Sequence, residues 1–241
     1  MDLGWGNFVL SLLNNFDRVY CINLDDRKDR WEECVDEFNK IDALNDVERF
    51  PAVEHEMGIA GCTLSHYEII KKCKKDGCKN VLIFEDDVEF EEDDNFYEIL
   101  DKSLYQLDKQ YGWYDMFYLG GNLKGNSNVR VDENLVRLDN VKTTHAYVIS
   151  DTIYDVFISA IENIDNIDDP YNWAGPEQIF GVNPNRYNID WWYTKNIHPM
   201  YKTYGTFPML CSQRASHSDI SNQFQHHKLY QKWEKIPYDN K

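Results

Sequence analysis

Three consecutive carboxylates, Glu85, Asp86 and Asp87, follow directly on the apolar run 81–84. An uninterrupted apolar run of this length is typical of a strand buried on both faces of a parallel-type sheet. Acids crowded at the end of such a strand repel one another unless a cation or a ligand balances their charge. Because ligands of open α/β sheets bind beyond the carboxyl ends of the strands, the sequence predicts a divalent metal that holds an anionic group. Hard oxygen donors of this kind suit Mg²⁺ or Mn²⁺ bridging a diphosphate.

The acids further along, Glu89 and residues 91–94, are interpreted differently. Most charge runs are solvated, so this group is predicted to be an exposed flank. A solvated loop is also the alternative for residues 85–87, but their position against a buried strand favours a functional role. An EF-hand is excluded because no register has Gly at the sixth position, and the pattern of a haloacid-phosphatase site is absent.

A second cluster of polar residues ends the predicted strand 18–24. Asn23, Asp25, Arg27 and Arg30 could bind a base and neutralise phosphate, since Arg suits bidentate contacts. A salt-bridged helix start explains the same residues equally well.

The composition restricts the partners and the compartment. The chain has 241 residues and a formal net charge of −17, which argues against a nucleic-acid surface but not against a nucleotide held through a metal. The six cysteines lack the spacing of a zinc site, and several of them are predicted to be reduced core thiols. The apolar stretch 8–13 is too short to span a bilayer and lacks a basic flank, so a cytoplasmic location is expected.

Strand-like and helix-like segments alternate along the chain, which predicts an α/β sheet of parallel type. Residues 58–61 are predicted to be a turn, and the chain beyond Asp168 is predicted to be irregular. The predicted strands are 18–24, 50–53, 81–84, 116–119 and 144–150, and the predicted helices are 31–40, 62–75, 96–111 and 153–161.

Five segments, in order, resemble the motifs of glycosyltransferase family 25. They are residues 19–30, which resemble the opening motif, 58–66, the acidic run 81–87, the strand 144–150 and the closing segment 213–220. The resemblance covers about 17–220. It departs from the family at Ile59, where Glu is common, and at Glu85, which begins the acidic triplet in place of Asp. Residues 122–138 match no motif.

The resemblance implies a GT-A fold, which is a Rossmann-like, mostly parallel sheet flanked by helices, in a single domain over 1–241. It implies Mn²⁺ or Mg²⁺ and an inverting transfer of galactose or glucose from a UDP-sugar. The acceptor would be a hydroxyl of a glycan or of a collagen-like hydroxylysine. Two other functions stay open: a non-catalytic scaffold or sugar-binding protein of the same fold, and a metal-dependent phosphohydrolase.

The resemblance also assigns roles to residues. Asp87 would ligate the metal, and His217 is expected to provide a second metal contact late in the chain. An inverting transfer needs a carboxylate to accept the acceptor's proton, for which Glu177 is predicted and Asp169 is the fallback. Glu177 could equally be an ordinary helix N-terminal acid. The predicted donor-binding residues are Asn23, Leu24, Arg27, Arg30, Ser65, Glu85, Asp86, Gly120 and Gly121.

Overall fold

The computed structural model describes residues 10–91, 95–124, 127–163, 189–218, 223–225 and 236–239. The helices in this part of the chain are α1 (Lys28–Lys40), α2 (Gly58–Asp76), α3 (Phe96–Tyr111), α4 (Tyr154–Glu162) and α5 (Ile189–Asn196). The strands are β1 (Val19–Asn23), β2 (Glu48–Pro51), β3 (Asn80–Glu85), β4 (Val88–Phe90), β5 (Met116–Tyr118), β6 (Asn122–Leu123), β7 (Val129–Arg130), β8 (Leu135–Arg137), β9 (Val141–Lys142), β10 (Ala146–Ser150), β11 (Thr203–Thr206), β12 (Cys211–Gln213), β13 (Ser216–Ser218) and β14 (Gln223–Gln225).

A sheet of eight strands organises the protein, in the order β2-β1-β3-β10-β5-β11-β8-β7. β2, β1 and β3 are parallel neighbours, as are β5 and β11, whereas β10 and β8 run antiparallel to the strands beside them. Six of the eight strands therefore point the same way. The predicted α/β class, a Rossmann-like and mostly parallel sheet flanked by helices, is confirmed.

Both faces of the central strands are buried, because successive side chains of a strand point to opposite faces. Tyr20 and Ile83 pack into the core on the side of α2, α4 and α5. Cys21 and Phe84, their neighbours in sequence, pack into the core on the side of α1 and α3. The strand that carries the acids is thereby held rigidly between two layers of apolar side chains.

The acidic residues lie at the carboxyl edge of this sheet. β3 ends at Glu85, and Asp86 and Asp87 form the tight turn into β4. β10 runs antiparallel to β3, so the residues that precede it, Thr143 and Thr144, reach the same edge. The backbone N–H of Glu85 donates to the carbonyl of His145 at 3.0 Å, which ties the two segments together.

The turn predicted at residues 58–61 is wrong, because these residues form the first turn of α2. Gly61 explains the difference. A Cβ at that position would lie 2.6 Å from the carbonyl oxygen of Val53, so glycine is needed for close packing of the helix against the chain that follows β2. Glycine here serves contact between elements rather than a chain reversal.

Two further predictions fail in part. Beyond Asp168 the described segments are regular: α5, β11 and β12 all lie there. Glu89 lies in β4, between the buried side chains of Val88 and Phe90, and β4 pairs with β12. Glu91 is exposed, as predicted for the flank. All six cysteines are free thiols and five of them are buried, which agrees with the prediction.

Among the described residues, no helix combines the length and the apolar character needed to cross a bilayer.

Candidate functional site

A cavity of about 370 Å³ opens at the carboxyl edge of the sheet, within the range of ligand pockets. Glu85, Asp86 and Asp87 all line it. Of the other residues predicted to bind the donor, Asn23, Leu24, Arg30 and Ser65 also line it. The ends of β1 and β3 and the start of α2 therefore meet at one site, although these residues are far apart in sequence.

Asp86 is held by two partners inside the protein. Asn23 Nδ2 donates to Asp86 Oδ2 at 2.8 Å, and Arg30 Nη1 lies 2.5 Å from Asp86 Oδ1. Burial raises the pKa of Asp86, and the positive charge of Arg30 opposes that shift. Asn23 is itself fixed, because its Oδ1 accepts a hydrogen bond from Arg49 Nε at 2.8 Å. This network clamps the ends of β1 and β3 to the first turn of α1.

Glu85 belongs to a buried chain of hydrogen bonds. Its Oε1 lies 3.2 Å from His66 Nε2 and accepts a hydrogen bond from Thr144 Oγ1 at 2.5 Å. On the other side of the ring, His66 Nδ1 lies 2.9 Å from the hydroxyl of Tyr147, which contacts the hydroxyl of Tyr193 at 3.1 Å. Burial favours the neutral acid, but the bonds from His66 and Thr144 outweigh it and hold the pKa of Glu85 below its usual value.

Asp87 is the least satisfied of the three acids. Its carboxylate has long contacts with Gln213 Nε2, at 3.2 and 3.4 Å. Burial, together with the negative charges of Glu85 and Asp86, raises the pKa of Asp87 to about 7. A buried carboxylate that repels its neighbours and borders a cavity is suited to a cation, and its oxygens are the ligands that Mn²⁺ or Mg²⁺ prefers. The residues present therefore fit the predicted metal.

A second group of metal-ligand types lies in the same cavity. Cys62 and His66 are four residues apart on α2, and their ligand atoms and a carboxylate oxygen of Glu85 lie within 4.8 Å of one another. Sulfur and nitrogen ligands suit Zn²⁺ better than Mn²⁺. The trio is thus chemically distinct from the oxygen site at Asp87.

Several predicted residues serve the framework. Ser65 Oγ accepts from the N–H of Val53 at 2.8 Å and donates to the carbonyl of Gly61 at 2.7 Å. Arg27 pairs with Asp29 and does not line the cavity as the described residues define it.

The two glycines predicted to approach the donor instead approach other parts of the protein. A Cβ on Gly120 would lie 2.0 Å from the carbonyl oxygen of Cys211, and one on Gly121 would lie 2.4 Å from Val141 Cγ1. Neither is among the described residues that line the cavity. Their donor contact stays a prediction.

Three predicted residues lie at the limits of the described chain. Glu177 and Asp169 are outside the described residues. The backbone of His217 lies in β13, opposite Phe224 of β14. Just before β13, the N–H of Arg214 donates to the carbonyl of Asp87 at 2.7 Å, so this segment runs past the acids.

The structure adds cavity residues that the sequence did not single out. Thr143, Thr144 and Asp190 line the cavity beside the acids. Arg214 Nη2 donates to the carbonyl of Asp86 at 3.1 Å and also pairs with Glu33. The sequence signals for Asp190 and Arg214 were weak. Asp190 lies in a segment predicted to be irregular, and Arg214 lies in the segment that resembles the closing motif.

Fold and cavity together define an α/β protein of Rossmann-like type, with an acidic cavity at the carboxyl edge of its sheet. Residues 56–171 match the model of glycosyltransferase family 25, described as an LPS biosynthesis protein. The resemblance to that family is thereby confirmed, and this segment contains the acidic triplet, the helix α2 and the strand β10.

Curated relatives carry the same family name. The chain is 31% identical over 169 residues to "Glycosyltransferase 25 family member" of Drosophila melanogaster, covering 56% of this chain and 26% of the relative. It is 41% identical over 63 residues to "Probable inactive glycosyltransferase 25 family member 3" of Rattus norvegicus, covering 26% of this chain and 11% of that one. The chain thus spans about a quarter or less of the curated relatives it matches.

Solved structures are similar only distantly. One is A197 from STIV, with 11% identity, coverage of 87% of this chain and 94% of that one, and a TM-score of 0.41. Another is a glycosyltransferase involved in the glycosylation of the major capsid of PBCV-1, with 8% identity, coverage of 70% and 71%, and a TM-score of 0.40. Similarity at that level leaves the function to be derived from the site.

Proposed function

We propose that this chain is a metal-dependent inverting glycosyltransferase that moves galactose or glucose from a UDP-sugar to an acceptor hydroxyl. The observation that carries the proposal is Asp87, a poorly satisfied carboxylate with a raised pKa, which borders a cavity at the carboxyl edge of the sheet. The match of residues 56–171 to the glycosyltransferase family supports the same function. The acceptor would be a glycan or a collagen-like hydroxylysine.

The residues of the chain divide the work. Asp87 would hold Mn²⁺ or Mg²⁺, with His217 as the second expected contact. When bound, the metal would offset the negative charge that develops on the departing UDP. Glu85, fixed by His66 and Thr144, would accept hydrogen bonds from the donor's ribose.

The network of Asn23, Asp86 and Arg30 would keep the edge of the site rigid, since preorganised groups cost no rearrangement when the reaction occurs. The sequence predicts Glu177 as the acceptor of the proton, with Asp169 as the fallback, and both lie outside the described residues.

The test is release of UDP from a panel of UDP-sugars, measured with and without Mn²⁺. Asp87→Ala should abolish metal-dependent donor binding, whereas Glu91→Ala should not, because Glu91 is an exposed acid of the same run. Mn²⁺-dependent binding that survives in Asp87→Ala would place the metal elsewhere. If no nucleotide or UDP-sugar binds even with metal, the glycosyltransferase proposal fails. A non-catalytic scaffold or sugar-binding protein then becomes the favoured function.

A phosphohydrolase would use the same acids without an acceptor. The product separates the two functions. Hydrolysis of the diphosphate leaves a sugar phosphate and UMP, whereas transfer of the sugar leaves intact UDP.

A further inference from the structure

Asp190 presents a buried carboxylate to the cavity. It is the second residue of α5, the residue is 8% exposed, and it lines the same cavity as Glu85 and Asp87. Its Oδ2 accepts a hydrogen bond from the backbone N–H of Thr143 at 3.0 Å. Its Oδ1 is buried and has no hydrogen-bond partner among the described residues. A buried carboxylate oxygen left in this state is costly unless a ligand supplies a donor.

A purely structural role explains only half of this arrangement. An acid in the first turn of a helix is favoured by the helix dipole, and the bond to Thr143 anchors the loop before β10. Neither requirement explains why the second oxygen of a residue that lines the cavity has no donor among the described residues. A hydroxyl group of a ligand would supply that missing donor.

The position of Asp190 is coupled to that of the donor site. Thr143, whose φ is +72°, holds Asp190 through its N–H, and the next residue, Thr144, holds Glu85 through its hydroxyl. Consecutive residues therefore fix two carboxylates on two sides of one cavity. Glu85 belongs to the triplet predicted to bind the donor. Asp190 is therefore placed to contact the acceptor, which would enter the cavity from the side of α5.

We propose that Asp190 is the general base of the transfer, an inference that rests on the function proposed above. As the acceptor oxygen forms its bond to C1 of the sugar, its proton moves to the carboxylate of Asp190. The bond from C1 to the UDP oxygen breaks at the same time, and UDP leaves with the electron pair. No further reactant is needed.

The surroundings suit a base. The charged groups that act on Asp190 are Lys142 and Glu85. Burial raises the pKa of Asp190, the backbone N–H groups of Thr143 and Trp191 and the charge of Lys142 oppose the shift, and Glu85 adds to it. A carboxylate whose pKa lies above its ordinary value accepts a proton more readily.

The experiment uses water and azide as acceptors, with UDP-galactose or UDP-glucose and Mn²⁺. Asp190→Asn should keep the bond from Thr143 and bind the UDP-sugar within about twofold of wild type. It should lower UDP release to water by about 10²- to 10⁴-fold. Asp190→Ala should lose the reaction with water but regain UDP release when azide is added, with a glycosyl azide of inverted configuration as product. Azide is already an anion and needs no base.

Two matched variants complete the design. Asp155→Asn changes the second residue of α4, an exposed acid at the same helical position, and should not alter either reaction. Glu177→Gln tests the alternative base directly.

The outcomes distinguish a failure of the role of Asp190 from a failure of the proposed function. An Asp190→Asn enzyme as active as wild type, or an Asp190→Ala enzyme that azide does not rescue, would overturn the role of Asp190 as base. A Glu177→Gln enzyme that alone shows azide rescue would assign the base to Glu177. A wild-type protein that neither binds nor consumes any UDP-sugar overturns the proposed function and this inference with it.

Discussion

Replacing Arg30 with Met should leave the negative charge of Asp86 buried without its cation. Both side chains of the pair are only 11% exposed, and their charged atoms are 2.5 Å apart. Met keeps much of the length and apolar surface of Arg, so the main change is the loss of the positive charge and of its hydrogen bond. Asn23 would remain as a neutral donor to Asp86.

The expected cost is about 3–5 kcal/mol in the free energy of unfolding at pH 7, the usual range for breaking a buried ion pair from one side. The cost should depend on pH in a defined direction. Burial already raises the pKa of Asp86 and Arg30 opposes that shift, so the variant's pKa should be higher still. An acid whose pKa is raised by folding destabilises the protein above its unfolded pKa. The loss should therefore shrink as the pH falls and Asp86 becomes protonated.

Urea unfolding at pH 7 and pH 5 measures this effect. Arg27→Met is the matched control, since Arg27 pairs with Asp29 at the surface, where the two side chains are 23% and 64% exposed. That variant should leave the free energy of unfolding nearly unchanged. The double variant Arg30→Met with Asp86→Leu should recover most of the loss. If Arg30→Met is as stable as Arg27→Met, or loses the same stability at both pH values, the pair of Arg30 and Asp86 does not hold the ends of β1 and β3 together.

Two other properties can be measured directly. The pKa of Asp87 is raised to about 7 by burial and by the two acids beside it. Because protons compete with the metal for this carboxylate, the affinity for Mn²⁺ should fall by about tenfold per pH unit below pH 7. Calorimetric titration with Mn²⁺ from pH 8 to pH 5.5 measures the affinity, and a constant value would exclude Asp87 as a ligand. Gly120→Ala should cost about 3 kcal/mol or more, since its Cβ would lie 2.0 Å from the carbonyl oxygen of Cys211. Gly77→Ala is the control, because a Cβ there has no neighbour within 4 Å and φ is +76°. It should lower the free energy of unfolding by about 1–2 kcal/mol from backbone strain alone. Equal losses for the two variants in urea unfolding would contradict the close approach at Gly120.

The features that the sequence predicted best are those that depend on residues adjacent in the chain. The apolar run 81–84 and the acids behind it specify a buried strand and its polar end without reference to the rest of the chain. The alternation of strands and helices was likewise visible, and with it the α/β class. Each of these rests on a local pattern of burial, which side-chain periodicity records directly.

The features that were missed depend on contacts between distant segments. Asp190 becomes notable only because Thr143, 47 positions away, binds one of its oxygens while the other has no donor among the described residues. Gly61 is interpreted as a turn residue until the approach of Val53 is known. The strands β7 and β8, at one end of the sheet, are too short for any alternation to be recognised.

The reversed direction of β10 connects the two sides of the cavity to one segment of backbone. In a fully parallel sheet only the ends of strands meet at the site, and each is followed by its own loop. Here a strand begins at that edge, and Thr143 and Thr144, which lie just before it, hold Asp190 and Glu85. One turn of backbone therefore sets the spacing between the two carboxylates. A substitution in the loop before β10 would shift both at once, and could retune the separation of donor and acceptor without touching either.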